Sequence, residues 1–295
     1  MGRVYAVIVC CLLPVAVAVV PSAPWAAAAE PVAPARIGLP ANMFSGLPAP
    51  VVQRASRPFQ NMLEKQAGLK GEVTVGKDYV EIAEMLRGGK LELAVFHGFE
   101  FAWVKQHPEL VPLVVTVPTN KLQACLVVNV NSKADGPHAL KGESVAIPSG
   151  TKAHCQLYYD RLKGAAPAGC CEVAKVKGRT VEDALDAVSD DECPAALVDA
   201  GALVAYQKLK PGAGQQLKVL AQSEPFPPGV LVYRKGALTE EAAKQVRDGL
   251  VKCVNTDEGQ LLTSLWRLKG FEAATQAYQL DLDKCLKVYP APKQK

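Results

Sequence analysis

Leu140-Lys141-Gly142-Glu143-Ser144-Val145-Ala146-Ile147-Pro148-Ser149-Gly150-Thr151-Lys152-Ala153-His154-Cys155-Gln156-Leu157-Tyr158-Tyr159 is the stretch on which the reading of this chain turns. Residues 144–147 are a short β-prone run, Pro148-Ser149-Gly150 is turn chemistry, and residues 151–163 have the apolar spacing of an amphipathic helix. A strand therefore ends, turns and opens a helix. At such an opening the first backbone N–H groups have no intrahelical acceptor and the macrodipole is positive. Gly150 lets a ligand approach the backbone, Ser149 and Thr151 add hydroxyl donors, Lys152 adds a cation, and His154 adds a donor on the first turn. An oxyanion fits such a place. The same hydroxyls also serve as ordinary helix caps, so the pattern by itself supports both readings.

Outward from that stretch, strands and helices alternate. Upstream, residues 36–39 read as a first strand, with Met43 and Phe44 in the loop after it, then a helix over 48–66 and a strand over 72–75. Asp78-Tyr79-Val80-Glu81 has the form of a capping box opening a helix that Gly88-Gly89 ends. Residues 93–96 are a third strand, His97-Gly98 ends it, and a helix over 99–106 follows. The extended apolar runs 110–117 and 121–130 read as a crossing from one sheet to a second. Downstream, strands are expected over 173–176 and 195–198, a helix over 181–188, and a return crossing through 217–222, the loop 225–229 and 230–234. Three helices, 239–254, 256–267 and 271–286, are expected to close the chain. The alternation predicts an α/β fold with parallel sheets covered on both faces. Ligands of such sheets sit outside the carboxyl ends of the strands. That criterion selects Phe44, Tyr79, His97, residues 149–154 and Asp199. Phe44 and Met43 are also suited to plain packing, Tyr79 to a hydrophobic staple, His97 to a turn, and Asp199 to a helix N-cap.

The 295 residues, 49% hydrophobic and 21% charged, suit two ordinary domains and leave no disordered bulk. A formal charge of +4, without a basic stripe interleaved with aromatics, argues against a nucleic-acid binder. Met1-Gly2-Arg3, the apolar run 4–20 and Ala26 to Ala29 read as a secretory signal cleaved near Ala28 or Ala29; an uncleaved anchor is the alternative. Loss of Arg3 leaves about +3. Cys10 and Cys11 raise lipidation, but Val9 is bulky where a small residue is wanted. Beyond the signal no apolar run is long enough to span a bilayer.

Of nine Cys, those at 125, 155, 170, 171, 193, 253 and 285 remain after cleavage, an odd number in an oxidising compartment. Placement near helix ends suggests Cys253 with Cys285, and Cys155 with Cys170 or Cys171. The spacing offers neither a zinc site nor a Cys-x-x-Cys motif, and no cofactor is implied.

Several segments together resemble the extracytoplasmic solute-binding proteins of ABC transporters for phosphonate, phosphite and phosphate. They are Arg36-Ile37-Gly38-Leu39-Pro40; Asp78-Tyr79 with Gly89-Lys90-Leu91-Glu92-Leu93-Ala94-Val95-Phe96-His97-Gly98; and Leu140-Lys141-Gly142 with Val145-Ala146 and Ser149-Gly150-Thr151. Ala195-Ala196-Leu197-Val198-Asp199-Ala200 and Val219-Leu220-Ala221-Gln222-Ser223 with Pro227-Pro228-Gly229 complete the set. The resemblance implies a type II periplasmic-binding-protein fold, two α/β lobes joined by two crossover strands. On that frame residues 1–29 are the signal, 30–118 the first part of lobe 1, 119–224 lobe 2, and 225–295 the return crossover with the C-terminal helices of lobe 1. It further implies a phosphorus oxyanion held between the lobes, with Ser149, Gly150 and Thr151 at the second lobe's helix start, Tyr79 supplying a hydroxyl from the first lobe, and His97 facing the cleft. Lys152 and His154 depart from the family's Ser/Thr-rich loop. Val230 stands where members that take aminoalkyl ligands present an acid, so an amino-bearing ligand is not expected. Asp199 is placed to accept from a protonated ligand oxygen.

The implied protein is a non-catalytic, periplasmic monomer that hands its ligand to a membrane permease and its ATPase. A sensor subunit reporting to a membrane kinase is the alternative within this fold. A secreted hydrolase using Cys155 beside His154 is the alternative outside it, although neighbouring residues on a helix point about 100° apart.

Overall fold

In the computed structural model, residues 35–44, 49–165 and 180–293 are described. The expected signal peptide, the strand expected at 173–176, and Cys170 and Cys171 lie outside them. The first half of the chain gives β1 (Ala35–Pro40), α1 (Ala49–Ala67), β2 (Gly71–Gly76), α2 (Tyr79–Arg87), β3 (Leu93–Phe96), α3 (Gly98–Val104), β4 (Leu110–Pro118), β5 (Ala124–Asn129), β6 (Val145–Ala146) and α4 (Ala153–Ala165). The second half gives α5 (Val181–Ser189), β7 (Ala195–Asp199), α6 (Ala200–Leu209), α7 (Pro211–Gln215), β8 (Leu217–Gln222), β9 (Val230–Arg234), α8 (Glu240–Lys252), α9 (Asp257–Trp266), β10 (Leu268–Ala273) and α10 (Gln276–Val288).

These strands form a six-stranded sheet, ordered β10-β4-β9-β3-β1-β2, and a four-stranded sheet, ordered β6-β7-β5-β8. Both are mixed, which corrects the expectation of parallel sheets. β1 runs parallel to β2 and β3, but β9 returns antiparallel between β3 and β4, with Phe96 opposite Val230. In the second sheet β6 is parallel to β7, whereas β5 is antiparallel to both β7 and β8. The cause is the two crossings: a chain that leaves the first sheet after β4 and returns as β9 enters against the βα direction.

The crossings, residues 119–123 and 223–229, are bonded to each other. Gln123 Nε2 donates to Ser223 O at 2.9 Å, Ala124 N to Ser223 Oγ at 2.9 Å, and Phe226 N to Leu122 O at 2.8 Å. Helices cover both faces of each sheet. On the first sheet, one face packs Ile37, Leu39, Phe59, Leu63, Val246 and Leu262, and the other packs Ile82, Leu86, Phe96, Phe101 and Leu282. On the second sheet, Leu185, Val188, Leu203 and Tyr206 fill one face. The opposite face holds Cys155, Tyr158 and Tyr159 of α4, packed with Phe99, Trp103, Phe226 and Tyr289 from around the first sheet.

The helix expected over 271–286 begins only at Gln276, where Thr275 caps it through Tyr278 N. The residues before it form β10, paired antiparallel with β4 (Phe271 opposite Thr116). Phe271-Glu272-Ala273-Ala274 has helical composition, but pairing with an exposed sheet edge overrides local preference. The expected Cys253–Cys285 bridge is also corrected. Both thiols are free, Cys253 in the core beneath α8 and α9 and Cys285 on the opposite side beside Tyr289. Cys155 is free and buried as well.

One glycine fixes how closely the return crossing lies on the first sheet. A Cβ on Gly98 would meet Pro227 O at 2.3 Å and Pro228 O at 2.5 Å, both backbone atoms that cannot swing aside. Gly98→Ala is therefore expected to destabilise the protein by about 2 kcal/mol, the scale of overpacking. Urea unfolding checks it, and a midpoint equal to the parent's contradicts the contact.

Candidate functional site

The carboxyl ends of β1, β2 and β3 on one sheet and of β6 and β7 on the other carry the polar groups of interest. On the second sheet β6 ends into Pro148, and Thr151 N bonds back to Pro148 O at 3.2 Å with Gly150 at φ +73° in the turn. Lys152 O accepts from Cys155 N at 2.9 Å and Gln156 N at 3.2 Å, so Lys152 stands at the N-cap of α4. The N–H groups of the first turn lack intrahelical acceptors. Ser149 and Gly150 are exposed, Thr151 is half-buried and His154 is buried.

Asp199 ends β7 and caps α6 by accepting from Ala202 N at 3.1 Å. Its carboxylate also faces α4. Lys152 Nζ donates to Oδ1 at 2.9 Å, and His154 Nε2 lies 3.1 Å from Oδ2, within ion-pair range though without the alignment of a hydrogen bond. Burial works against ionisation of Asp199, but His154 and Lys152 outweigh it and hold its pKa at about 2. Three residues named separately from the sequence thus form one cluster. Two of the expected donors have partners within the protein. The Thr151 hydroxyl donates to Pro148 O at 2.6 Å, closing the turn, and Lys152 spends a donor on Asp199.

On the first sheet His97 ends β3 and caps α3, its ring stacked on Phe99 at 5.3 Å with 6° between planes. His97 Nε2 is sealed from solvent with no hydrogen-bond partner. Burial, with the charges of His154 and Lys152 across from it, pulls the His97 pKa down to about 4, so the ring is neutral at physiological pH. Tyr79 opens α2 half-buried, its ring 5.0 Å from that of Trp103, which in turn packs on Phe99 at 5.3 Å. Burial raises the Tyr79 pKa, as do Glu100 and Asp78, keeping the phenol protonated. Asp78 caps α2 by accepting from Val80 N and Glu81 N, each at 3.0 Å, while Glu81 accepts from Lys77 N rather than completing a box with Asp78. Phe44 ends the 3₁₀ turn Ala41–Phe44 that follows β1, and Met43 packs on the first core.

Other residues were not singled out from the sequence. Phe226, in the return crossing, joins the two halves: its ring lies 5.5 Å from His154, 5.9 Å from Phe99 and 4.6 Å from Tyr289. A phenylalanine set among Pro225, Pro227 and Pro228 was the available signal. Arg161 of α4 bonds to Glu224 at 2.6 Å, and Tyr289 OH donates to the same carboxylate at 3.0 Å, which ties α4 to the segment after α10. Glu100 is 1% exposed, accepting from Asn42 Nδ2 at 2.5 Å and from His97 N at 3.3 Å.

Cys155 is 1% exposed, and burial, with the charge of Asp199, pushes its thiol pKa far up. A thiol so held is a poor nucleophile, which counts against Cys155 in the hydrolase reading. Among the described residues no cluster of His, Cys, Asp and Glu could hold a metal ion, and no helix is long and apolar enough to cross a membrane.

A family model described as ABC transporter, phosphonate, periplasmic substrate-binding protein matches residues 43–278. A search of curated proteins finds no match. Among solved structures, a binding protein component of an ABC phosphonate transporter from Pseudomonas aeruginosa is 17% identical, with a TM-score of 0.57 over 85% of this chain and 84% of that one. PhnD1 from Prochlorococcus marinus, in complex with methylphosphonate, is 14% identical, with a TM-score of 0.58 over 86% and 97%. A Xanthomonas citri protein bound to ATP is 12% identical, with a TM-score of 0.63 over 86% and 96%. At these identities the structures speak for the fold, which is that of the type II periplasmic binding proteins, two α/β lobes joined by two crossovers. The family model extends over most of the sequence, and on it the chain belongs to the periplasmic substrate-binding proteins of phosphonate ABC transporters.

Proposed function

We propose that the chain captures a small phosphorus oxyanion, phosphonate, phosphite or phosphate, in the cleft between a lobe built from residues 30–118 and 225–295 and a lobe built from residues 119–224. The observation that carries this reading is the partnerless, buried Nε2 of His97 opposite the Lys152–His154 start of α4. The ligand oxygens would take the first-turn N–H groups of α4, the Gly150 amide and the hydroxyls of Ser149 and Thr151. Thr151 Oγ1 turns from Pro148 O to do so. Lys152 supplies the cation, His97 and Tyr79 donate from the opposite lobe, and His154 and Asp199 hold Lys152 in place. Phe44 borders the first-lobe loop.

Asp199 is already engaged by Lys152, His154 and Ala202 N, which leaves it poorly disposed to receive a ligand ammonium. That supports an oxyanion without an aminoalkyl arm. Four or five charge-assisted hydrogen bonds of about 1.5–3 kcal/mol each exceed the ordering costs enough for roughly micromolar affinity, about −8 kcal/mol. Only a closed state lets both lobes touch the ligand, so binding drives hinge closure about residues 119–123 and 223–229. The closed, loaded protein then delivers the ligand to a permease and its ATPase, and export by the N-terminal segment brings it to the periplasm.

A thermal-shift panel of inorganic phosphate, phosphite, methylphosphonate, 2-aminoethylphosphonate and sulfate, run on residues 30–295, tests the reading. A ligand at 100 times its Kd adds about 2.7 kcal/mol of stability. At least one of the first three is expected to do so, and the aminoalkyl compound is not. A panel without any shift, confirmed by calorimetry, overturns the proposal.

A further inference from the structure

Glu100 stands out as a buried carboxylate to which the described residues give no cation. It lies at 1% exposure on the first turn of α3 and joins two loops at the carboxyl end of the first sheet, through Asn42 after β1 and His97 N after β3. From α2 it is faced by Asp78 and Tyr79, of which Asp78 is a like charge. α10, packed along α3, brings Tyr278, whose hydroxyl donates to Pro228 O, and Cys285. Lys105, at the far end of α3, is paired with Asp283. On the face of the first sheet that α2, α3 and α10 cover, β3 and β9 contribute only apolar residues, Ala94, Phe96, Val230 and Val232. Across the cleft stand Lys152, His154 and Asp199, a cluster whose own acid is already paired.

We infer that Glu100 is a positioning residue that couples the cleft to protons: it takes up a proton when an anion settles between His97 and the start of α4, and so makes anion affinity fall as pH rises through neutrality. This rests on the reading that the cleft holds an oxyanion. Burial raises the pKa of Glu100 to about 7 against the pull of its two hydrogen bonds, which puts its titration in the relevant range. An arriving anion adds a second negative charge near a desolvated carboxylate, and this favours the protonated form. Asn42 lets the proton be accepted without loss of a bond, because its amide can present either an N–H or a C=O to the carboxyl group. By linkage, what binding does to the proton the proton does to binding.

The test compares the parent with Glu100→Gln, titrated calorimetrically with inorganic phosphate and with methylphosphonate at pH 6, 7 and 8. Taking the ratio of the two proteins' Kd values cancels the ligand's own ionisation. The parent is expected to lose about fivefold in affinity relative to Glu100→Gln between pH 6 and pH 8. A ratio flat across that range, with both proteins binding, overturns the inference and leaves the oxyanion reading standing. Failure of both proteins to bind either probe at any of these pH values overturns the oxyanion reading and this inference together. Infrared difference spectra of the parent supply a measurement that needs no variant. At pH 7.5, saturating phosphate is expected to raise the carbonyl stretch of a buried protonated carboxylic acid, and no such band on ligand saturation contradicts proton uptake at Glu100.

Discussion

Calorimetry of the Ser149→Ala, Thr151→Ala double variant is expected to show oxyanion binding weakened by at least about 100-fold, from roughly micromolar to beyond detection, in a protein that unfolds as the parent does. Two charge-assisted hydrogen bonds of about 1.5–3 kcal/mol each set the size of the loss. The fold is spared for a local reason. The turn keeps its backbone bond from Thr151 N to Pro148 O, the left-handed residue is Gly150, and both side chains lie outside the buried core. Losing the hydroxyl bond from Thr151 to Pro148 O costs about 1 kcal/mol at most. Coincident urea midpoints, together with silent titrations of phosphate and methylphosphonate, are the expected pair of results. A double variant that binds within threefold of the parent places the ligand elsewhere.

Elements set by local sequence were legible with their limits. β3, β8 and β9 fall where short apolar runs are bounded by Gly, His, Pro or polar residues, and α5 begins after Thr180, whose side chain accepts from Asp183 N. Strand direction was not legible. β9 enters the first sheet opposite β3, with Leu93 across from Tyr233, and a pairing over such sequence separation leaves no mark in either run. β10 was lost for the same reason, since its partner β4, rather than its own composition, makes it a strand.

The site divides along the same line. Lys152, His154 and Asp199 could each be named because each sits at an element boundary with chemistry of its own. That they pair could not be read, because Asp199 arrives from a different strand and reaches across to the start of α4. Glu100 had a signal that went unused: a lone acid in Gly-Phe-Glu-Phe-Ala-Trp-Val, where every neighbour is apolar, must be buried or break the helix's packing. Phe226 and the Arg161–Glu224–Tyr289 tie depend on the lobes being brought together, so they exist only at the level of the fold.

Asp199 carries the second large expected effect, and its pH dependence separates charge from capping. Asp199→Ala removes the acceptor for Lys152, the partner of His154 and the cap on Ala202 N at one stroke, and is expected to cost about 3.5 kcal/mol of stability at pH 7. Asp199→Asn keeps a good N-cap and loses only the charge. Its cost follows from the carboxylate's pKa of about 2 in the folded protein, against about 3.9 in an unfolded chain. Between those values the unfolded state binds more protons, so the charge contributes about 2.6 kcal/mol that is complete above pH 4 and is lost as pH falls through 2. Urea unfolding at pH 7 is therefore expected to rank the parent above Asp199→Asn, and Asp199→Asn above Asp199→Ala. As the pH is lowered through this window, parent and Asp199→Asn should converge, while Asp199→Ala stays below both by the cap, about 1 kcal/mol. A gap between parent and Asp199→Asn that is the same at pH 2 as at pH 7 would mean that the cluster of Lys152, His154 and Asp199 stabilises the lobe through shape alone, with no contribution from its charges.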